Sequence, residues 1–419
     1  MIITLQKKER GIREVTAPPS KSFTHRALIM AALGSGQSTI LNPLYAEDTL
    51  LTMSALRMLG ISMEVNPERV IVNGCNGTFS DRENTVLDLN NSGTSLRLIT
   101  PLALLCRYPV ILTGSSRMQE RPIGPLVQAL QALGGSIQFL KNEGYPPLRV
   151  SGHLKGGTAV IEGSISSQFI SSILIAAPYS VTETEVIIPL PPVSGSYLDI
   201  TLEVMQAFGA AVKREGYTRF LVSNTRRYLG RIYTIEGDYS SSSYFFAIAA
   251  ICGGRMTVKN LEPGSVQGDR RFPDILALMG CTVMYSGHEV TVERTRELHG
   301  ITVDMSTSPD TVQTLCMVAA MADTPTTITG ISHLKYKESD RITSTAERLK
   351  SLGGDVQVGD DWITINPAPL HGGVIDPEDD HRTAMSFAVL GLCIGGITIT
   401  NAECVDKSFP GFWDIIRGI

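Results

Sequence analysis

The residues able to do chemistry in this chain stand in short polar segments, each just ahead of an apolar stretch of helical period. Lys21, Ser22 and Arg26 follow Pro18-Pro19-Ser20. The prolines stiffen a turn, Ser20 or Ser22 is placed to cap a helix, and Ser22 and Arg26, four apart, share one face of it. Asn91, Gly93 and Thr94 lie in Asn90–Arg97, where small side chains and exposed amides suit an anion at a helix start. Arg121 precedes Pro122, so its backbone should be extended and its guanidinium presented by a stiff loop. Ser166, Ser167 and Gln168 form a capping sequence, and Ser194 and Tyr197 sit in another loop before a helix. Asp310 follows Pro309. In Lys335–Arg341, Lys337 and Arg341 are four apart and predict two cations on one face, with Glu338 a carboxyl among them able to move a proton. His381 and Arg382 follow two acids that suit a helix start, and Lys407 precedes Ser408-Phe409-Pro410.

Taken singly, each segment reads equally well as a capped helix or a charged surface turn. Together, Lys21, Arg26, Arg121, Lys337, Arg341, Arg382 and Lys407 concentrate cations at equivalent places in a chain of net charge −5. That pattern suits a ligand with two or three negative charges.

A repeat explains the placement. An apolar helix ending in Gly recurs at Gly60, Gly134, Gly209, Gly280 and Gly353, at intervals of 74, 75, 71 and 73 residues. Each Gly suits a left-handed helix terminus. The polar starts number six: Ser20, Asn91, Ser166, Ser240, Pro309 and Asp380 each open one. One unit reads helix, strand, helix, strand, strand. Units of this length are too long for an ordinary solenoid and pack instead into compact domains. The sixth is cut short before its last strands, and Ile2–Leu5 is able to supply a missing edge. Residues 1–16 and 237–419 are therefore expected to form one domain, with repeats four to six, and residues 17–236 a second, with repeats one to three. The predicted class is α/β.

Composition sets outer bounds. The 419 residues are 43% hydrophobic and 18% charged, enough for a large core. The acidic balance argues against nucleic acid, and no apolar run approaches the length of a membrane span. Met1–Val15 reads as a strand and a basic turn without a secretory signal, which predicts a cytoplasmic protein. The seven cysteines form no CxxC and read as buried thiols; no His/Cys cluster has metal spacing.

Pro19-Ser20-Lys21-Ser22 with Arg26, Asn91–Thr94, Glu120-Arg121-Pro122, Ser166-Ser167-Gln168, Tyr197–Thr201, Glu236-Gly237-Asp238, Gln267-Gly268-Asp269, Lys337–Arg341, Asp380-His381-Arg382 and Lys407–Pro410 together resemble the enolpyruvyl transferase family across nearly the whole chain. The resemblance implies two domains, each an inside-out α/β barrel of three βαβαββ units. It implies transfer of the enolpyruvyl group of phosphoenolpyruvate to the 5-hydroxyl of shikimate 3-phosphate, on the route to chorismate and aromatic amino acids. It implies no metal or organic cofactor, no macromolecular partner and a monomer. By matched position, Ser22, Arg26, Ser166, Ser167, Ser194 and Tyr197 would hold shikimate 3-phosphate, with Lys337 on the acceptor and Gln168 near both ligands. Lys21, Gly93, Arg121, Arg341, Arg382 and Lys407 would hold phosphoenolpyruvate, with Asn91, Thr94 and His381 alongside. Asp310 would take the hydroxyl proton, Glu338 would protonate the methylene carbon, and Lys21 would assist. His333 stands where some relatives carry Asn. The alternative within the family is transfer to UDP-N-acetylglucosamine. Ser22 stands where that enzyme has Asn, and Ser115–Met118 lacks its reactive Cys.

Overall fold

A computed structural model describes residues 1–419. The chain divides into two compact units, Pro19–Ile235 and Met1–Pro18 with Glu236–Ile419, and passes between them twice.

Residues 19–235 carry the helices α1 (Lys21–Leu33), α2 (Glu47–Met58), α3 (Gly93–Ile99), α4 (Gly124–Ala132), α5 (Ser167–Ala176) and α6 (Ser196–Ala207). The other unit carries α7 (Tyr239–Cys252), α8 (Phe272–Leu278), α9 (Val312–Ala319), α10 (Arg341–Ser351), α11 (His381–Ile394) and α12 (Phe412–Gly418). Helices opening a repeat are apolar nearly all round: α7 is buried from Tyr239 to Ile251, α9 throughout and α11 from His381 to Cys393. Such helices belong at a centre, whereas α4, α6 and α10 bury one face only.

Small sheets cover the helices. Five have four strands in one order: an edge strand parallel to a central one, then an antiparallel pair. In the first repeat the order is Ile232–Thr234, Gln37–Leu41, Arg69–Asn73, Ser62–Val65, so the last strand of that unit returns to its first sheet. In the fourth repeat Gly11–Thr16 takes the edge beside Gly254–Lys259. The sixth sheet has three strands. Ile3–Leu5 runs antiparallel to Ile397–Ile399, with Ile3 opposite Ile399. Five repeats are thus βαβαββ, the sixth stops after its second helix and borrows Ile3–Leu5, and each unit is an α/β barrel with helices inside and strands outside.

The five helix-ending glycines all adopt φ between +91° and +108°. A side chain would be strained there, which is why the same residue recurs at each turn into a strand. In the unit holding α7, α9 and α11, Ser243, Thr314 and Ser386 lie 71 and 72 residues apart and meet at 3.2 and 3.5 Å. The repeat therefore places hydroxyls where they satisfy one another inside the core.

Candidate functional site

Each unit gathers its own set of site residues at the starts of its repeat-opening helices.

In residues 19–235, Lys21 is the first residue of α1, and its Nζ lies 3.0 Å from Oδ2 of Asp48, a buried acid at the start of α2. Ser95 Oγ in turn donates to the Asp48 carbonyl at 3.0 Å, tying in α3. Gln168, at the start of α5, donates to Thr94 Oγ1 at 3.0 Å and accepts from Arg97 at 2.8 Å. The N-terminal ends of α1, α2, α3 and α5 are thus joined by side-chain hydrogen bonds. Ser166 caps α5 by accepting from the Gln168 amide at 3.3 Å, and Ser92 caps α3. Neither serine expected to cap α1 does so. Ser20 stands at the cap position with its buried hydroxyl unbonded, and Ser22 lies within the first turn.

Arg121 has the extended backbone expected ahead of Pro122, φ −87° and ψ 125°. It is buried rather than on a surface turn, with Nη1 3.5 Å from the Asn91 carbonyl. Its guanidinium lies against Gly93, where an added Cβ would sit 2.7 Å from Cζ.

Arg26 is 1% exposed, yet it touches only neutral oxygens. Nε donates to Thr201 Oγ1 at 2.8 Å, Nη1 to the Ser22 carbonyl at 3.0 Å, and Nη2 to the Tyr197 carbonyl at 3.2 Å and Ser171 Oγ at 3.4 Å. Burial lowers its pKa to about 10, so it stays charged near neutrality. A cation buried without a carboxylate is costly, and an incoming anion would relieve that cost. Ser194, in the left-handed region at φ +56°, accepts from the Tyr197 amide at 3.1 Å and shapes the loop at the start of α6.

In the other unit, Arg341 is the hub. It is 2% exposed and faces three acids. Nε and Nη2 clamp Asp380 at 2.8 and 3.2 Å, Nη2 reaches Glu338 Oε2 at 2.9 Å, and Nη1 reaches Asp310 Oδ1 at 3.2 Å. Burial pulls the guanidinium pKa down, but Asp380, Glu338 and Asp310 more than offset it and hold it above the usual value. Asp380 is fully buried. Burial favours its neutral form, yet Arg341 outweighs this and keeps its pKa below the ordinary value. Asp380 also caps α11 by accepting from the Arg382 amide at 3.0 Å, and it accepts from Ser339 Oγ at 2.9 Å. Arg382 Nη2 reaches Asp310 Oδ2 at 2.7 Å, so two guanidiniums hold the Asp310 carboxyl from either oxygen.

Lys337 and Arg341 do not share a helix face. Lys337 has extended backbone and α10 begins only at Arg341, because Asp340 caps that helix by accepting from Ile342 and Thr343. Glu338 and Arg341, three apart, do pair, since the turn ahead of the cap folds Glu338 back onto Arg341. Lys407 is buried at the end of the turn Ala402–Lys407. His381 is buried with Nδ1 4.0 Å from Asp380. His333 is buried too; desolvation, then Lys337, lowers its pKa to about 3, so it is neutral at physiological pH.

Asp48, Arg97 and Asp380 are the residues of this constellation that reading for single segments undervalued. For Asp48 a signal was present in Ala46-Glu47-Asp48, Gln267-Gly268-Asp269 and Ser339-Asp340: second helices of several repeats open on an acid. No group of three or more His, Cys, Asp or Glu is arranged to hold a metal ion, and no helix is long and apolar enough to cross a membrane.

A family model described as EPSP synthase (3-phosphoshikimate 1-carboxyvinyltransferase) matches residues 5–416. The chain belongs to the EPSP synthase family. A protein of Methanoregula boonei named 3-phosphoshikimate 1-carboxyvinyltransferase is 61% identical over 419 residues, all of both chains. One of the same name from Methanoculleus marisnigri is 58% identical over 96% of this chain and 95% of its own. Among solved structures, EPSP synthase from Acinetobacter baumannii superposes with a TM-score of 0.82 at 29% identity, covering 100% of this chain and 98% of the other. EPSP synthase relatives thus match this chain end to end, through both units and all six repeats.

Proposed function

We propose that this chain transfers the enolpyruvyl group of phosphoenolpyruvate to the 5-hydroxyl of shikimate 3-phosphate, releasing phosphate. Family membership supports the reaction. The observation that carries the assignment of roles is that two carboxyls, Asp310 and Glu338, are held on one guanidinium, Arg341, at 3.2 and 2.9 Å. The reaction needs a base at a hydroxyl and an acid at an alkene carbon, close together and among cations.

Glu338 gives its proton to the methylene carbon, which leaves the adjacent carbon with oxocarbenium character. Asp310 takes the proton of the 5-hydroxyl as its oxygen bonds to that carbon. In the second step the bond from that carbon to the phosphate oxygen breaks, the methyl group returns its proton to Glu338, the double bond re-forms, and the phosphate leaves with the proton held by Asp310. Arg121, Arg341, Arg382, Lys21 and Lys407 stabilise the phosphate and carboxylate charge. Arg26, Ser166, Ser167 and Tyr197 receive shikimate 3-phosphate in residues 19–235. Lys337, in residues 236–419, is a further contact for the acceptor.

Phosphate release by the purified protein should require both phosphoenolpyruvate and shikimate 3-phosphate. UDP-N-acetylglucosamine in place of the acceptor should give only background. Release with that nucleotide sugar and not with shikimate 3-phosphate would overturn the proposal.

Gly93→Ala tests the phosphoenolpyruvate side. Gly93 has an ordinary negative φ, so Ala costs nothing in the backbone, and only the mobile end of Arg121 must give way. Displacing that guanidinium forfeits part of a charge-assisted hydrogen bond, so KM for phosphoenolpyruvate should rise about tenfold with kcat changed little. An unchanged KM would mean that Arg121 does not hold this ligand.

A further inference from the structure

Asp269 lies outside the constellation described above, in the turn Gly268–Arg271 that opens the second helix of the fourth repeat. It is 4% exposed. Ser240 Oγ, in the first turn of α7, donates to its Oδ2, and Oδ1 is buried with no hydrogen-bond partner. A carboxylate satisfied by a single neutral donor is poorly solvated, so this environment favours the protonated acid. The charged groups that face it are Asp310 from the neighbouring repeat, Arg382 from α11 and Asp238 at the cap of α7.

The same turn braces the segment that carries Asp310. Ser308 Oγ donates to the Gly268 carbonyl at 2.7 Å. Arg271 Nη1 reaches the Asp304 carbonyl at 3.3 Å and Thr307 Oγ1 at 3.1 Å. Asp269, through Ser240, ties that turn to α7, and the braced segment runs on to the carboxyl shared by Arg341 and Arg382.

We propose that Asp269 is a positioning residue for this half-site: a buried carboxyl that, while protonated, ties the turn bracing the Asp310 segment to α7 through Ser240 and keeps a further negative charge away from Arg382, which must meet an anion. The proposal rests on the enolpyruvyl transfer reading. Burial first, then the Asp310 charge, raises the Asp269 pKa to about 7. Ionisation above that pH adds the negative charge, and the half-site's hold on phosphoenolpyruvate weakens.

The test is the pH dependence of KM against kcat for the full-length protein and two variants. From about pH 6 to pH 8, KM for phosphoenolpyruvate should rise in the wild type by about fivefold more than in D269N, the scale of one like charge in a partly screened site. Ligand ionisation is common to both proteins and cancels in the ratio; kcat should be much less affected. In S240A the loss of the donor disfavours the ionised form, so the rise should move to higher pH. Parallel KM profiles in wild type and D269N would overturn the proposal, as would an S240A profile that does not move, should D269N fail to fold.

Unfolding separates this from the function reading. A carboxyl whose folded pKa is raised loses its stabilising contribution as pH climbs from its unfolded value to its folded one. The wild-type midpoint should therefore fall relative to D269N between about pH 4 and pH 7 and level off above. If no phosphate is released from either protein but this gap appears, the reaction assignment fails and the buried acid stands. A constant gap sinks the Asp269 proposal whatever the activity.

Discussion

Asp310→Asn should lower kcat by about three orders of magnitude with the fold retained, the range expected for removing a general base. Asn keeps the shape of the side chain but only one of the two contacts to guanidinium groups, since its nitrogen is a donor, and it cannot take the hydroxyl proton. Asp310 is partly exposed, and Arg341 retains Asp380 and Glu338 when the Asp310 charge is lost. Stability should therefore change far less than rate. KM for phosphoenolpyruvate should hold or fall, because Arg382 loses a competing carboxylate 2.7 Å away. Steady-state rates with both substrates saturating, checked beside circular dichroism, decide it. A kcat within tenfold of wild type would remove Asp310 from the role of base.

The architecture was legible because it is written as a period. Five glycines about 73 residues apart mark helix ends, and the same spacing brings Ser243, Thr314 and Ser386 together in one core. Local rules worked where they concern the backbone of one segment: Arg121 is extended because Pro122 follows it. They failed where a cap moved a boundary. Asp340 starts α10 four residues later than the Lys337–Arg341 spacing requires, and Ser20 sits at a cap without bonding. The pairings that give the half-sites their electrostatics were not legible at all. Arg26 meets Thr201 across 175 residues, and Arg341 meets Asp380 across 39. Helical periodicity predicts neighbours along one helix, whereas these contacts run between repeats, where only packing decides which side chains meet.

The most consequential of those contacts is Arg341 with Asp380, and its removal gives the largest expected loss of stability. Arg341→Met keeps the unbranched stem but not the guanidinium, and leaves Asp380, fully buried, without its cation. The remaining donors to that carboxylate are Ser339 Oγ and the Arg382 amide, both neutral. Breaking a buried pair from one side costs about 3–5 kcal/mol, more than forming it gains, because the stranded charge is still desolvated. The sign of the pH effect follows. In the wild type the depressed Asp380 pKa contributes stability above its unfolded value, lost as pH falls through the folded one. In Arg341→Met burial raises that pKa instead, so the variant suffers most near neutrality and recovers as Asp380 protonates. Urea unfolding near neutral pH and near pH 4 should therefore show the deficit shrinking on acidification. Arg341→Met with Asp380→Asn should be more stable near neutrality than Arg341→Met alone, since no buried charge is left. Equal deficits at both pH values, or a double variant no better than the single one, would mean that Asp380 is not carried as an anion and that Arg341 is held mainly by its packing.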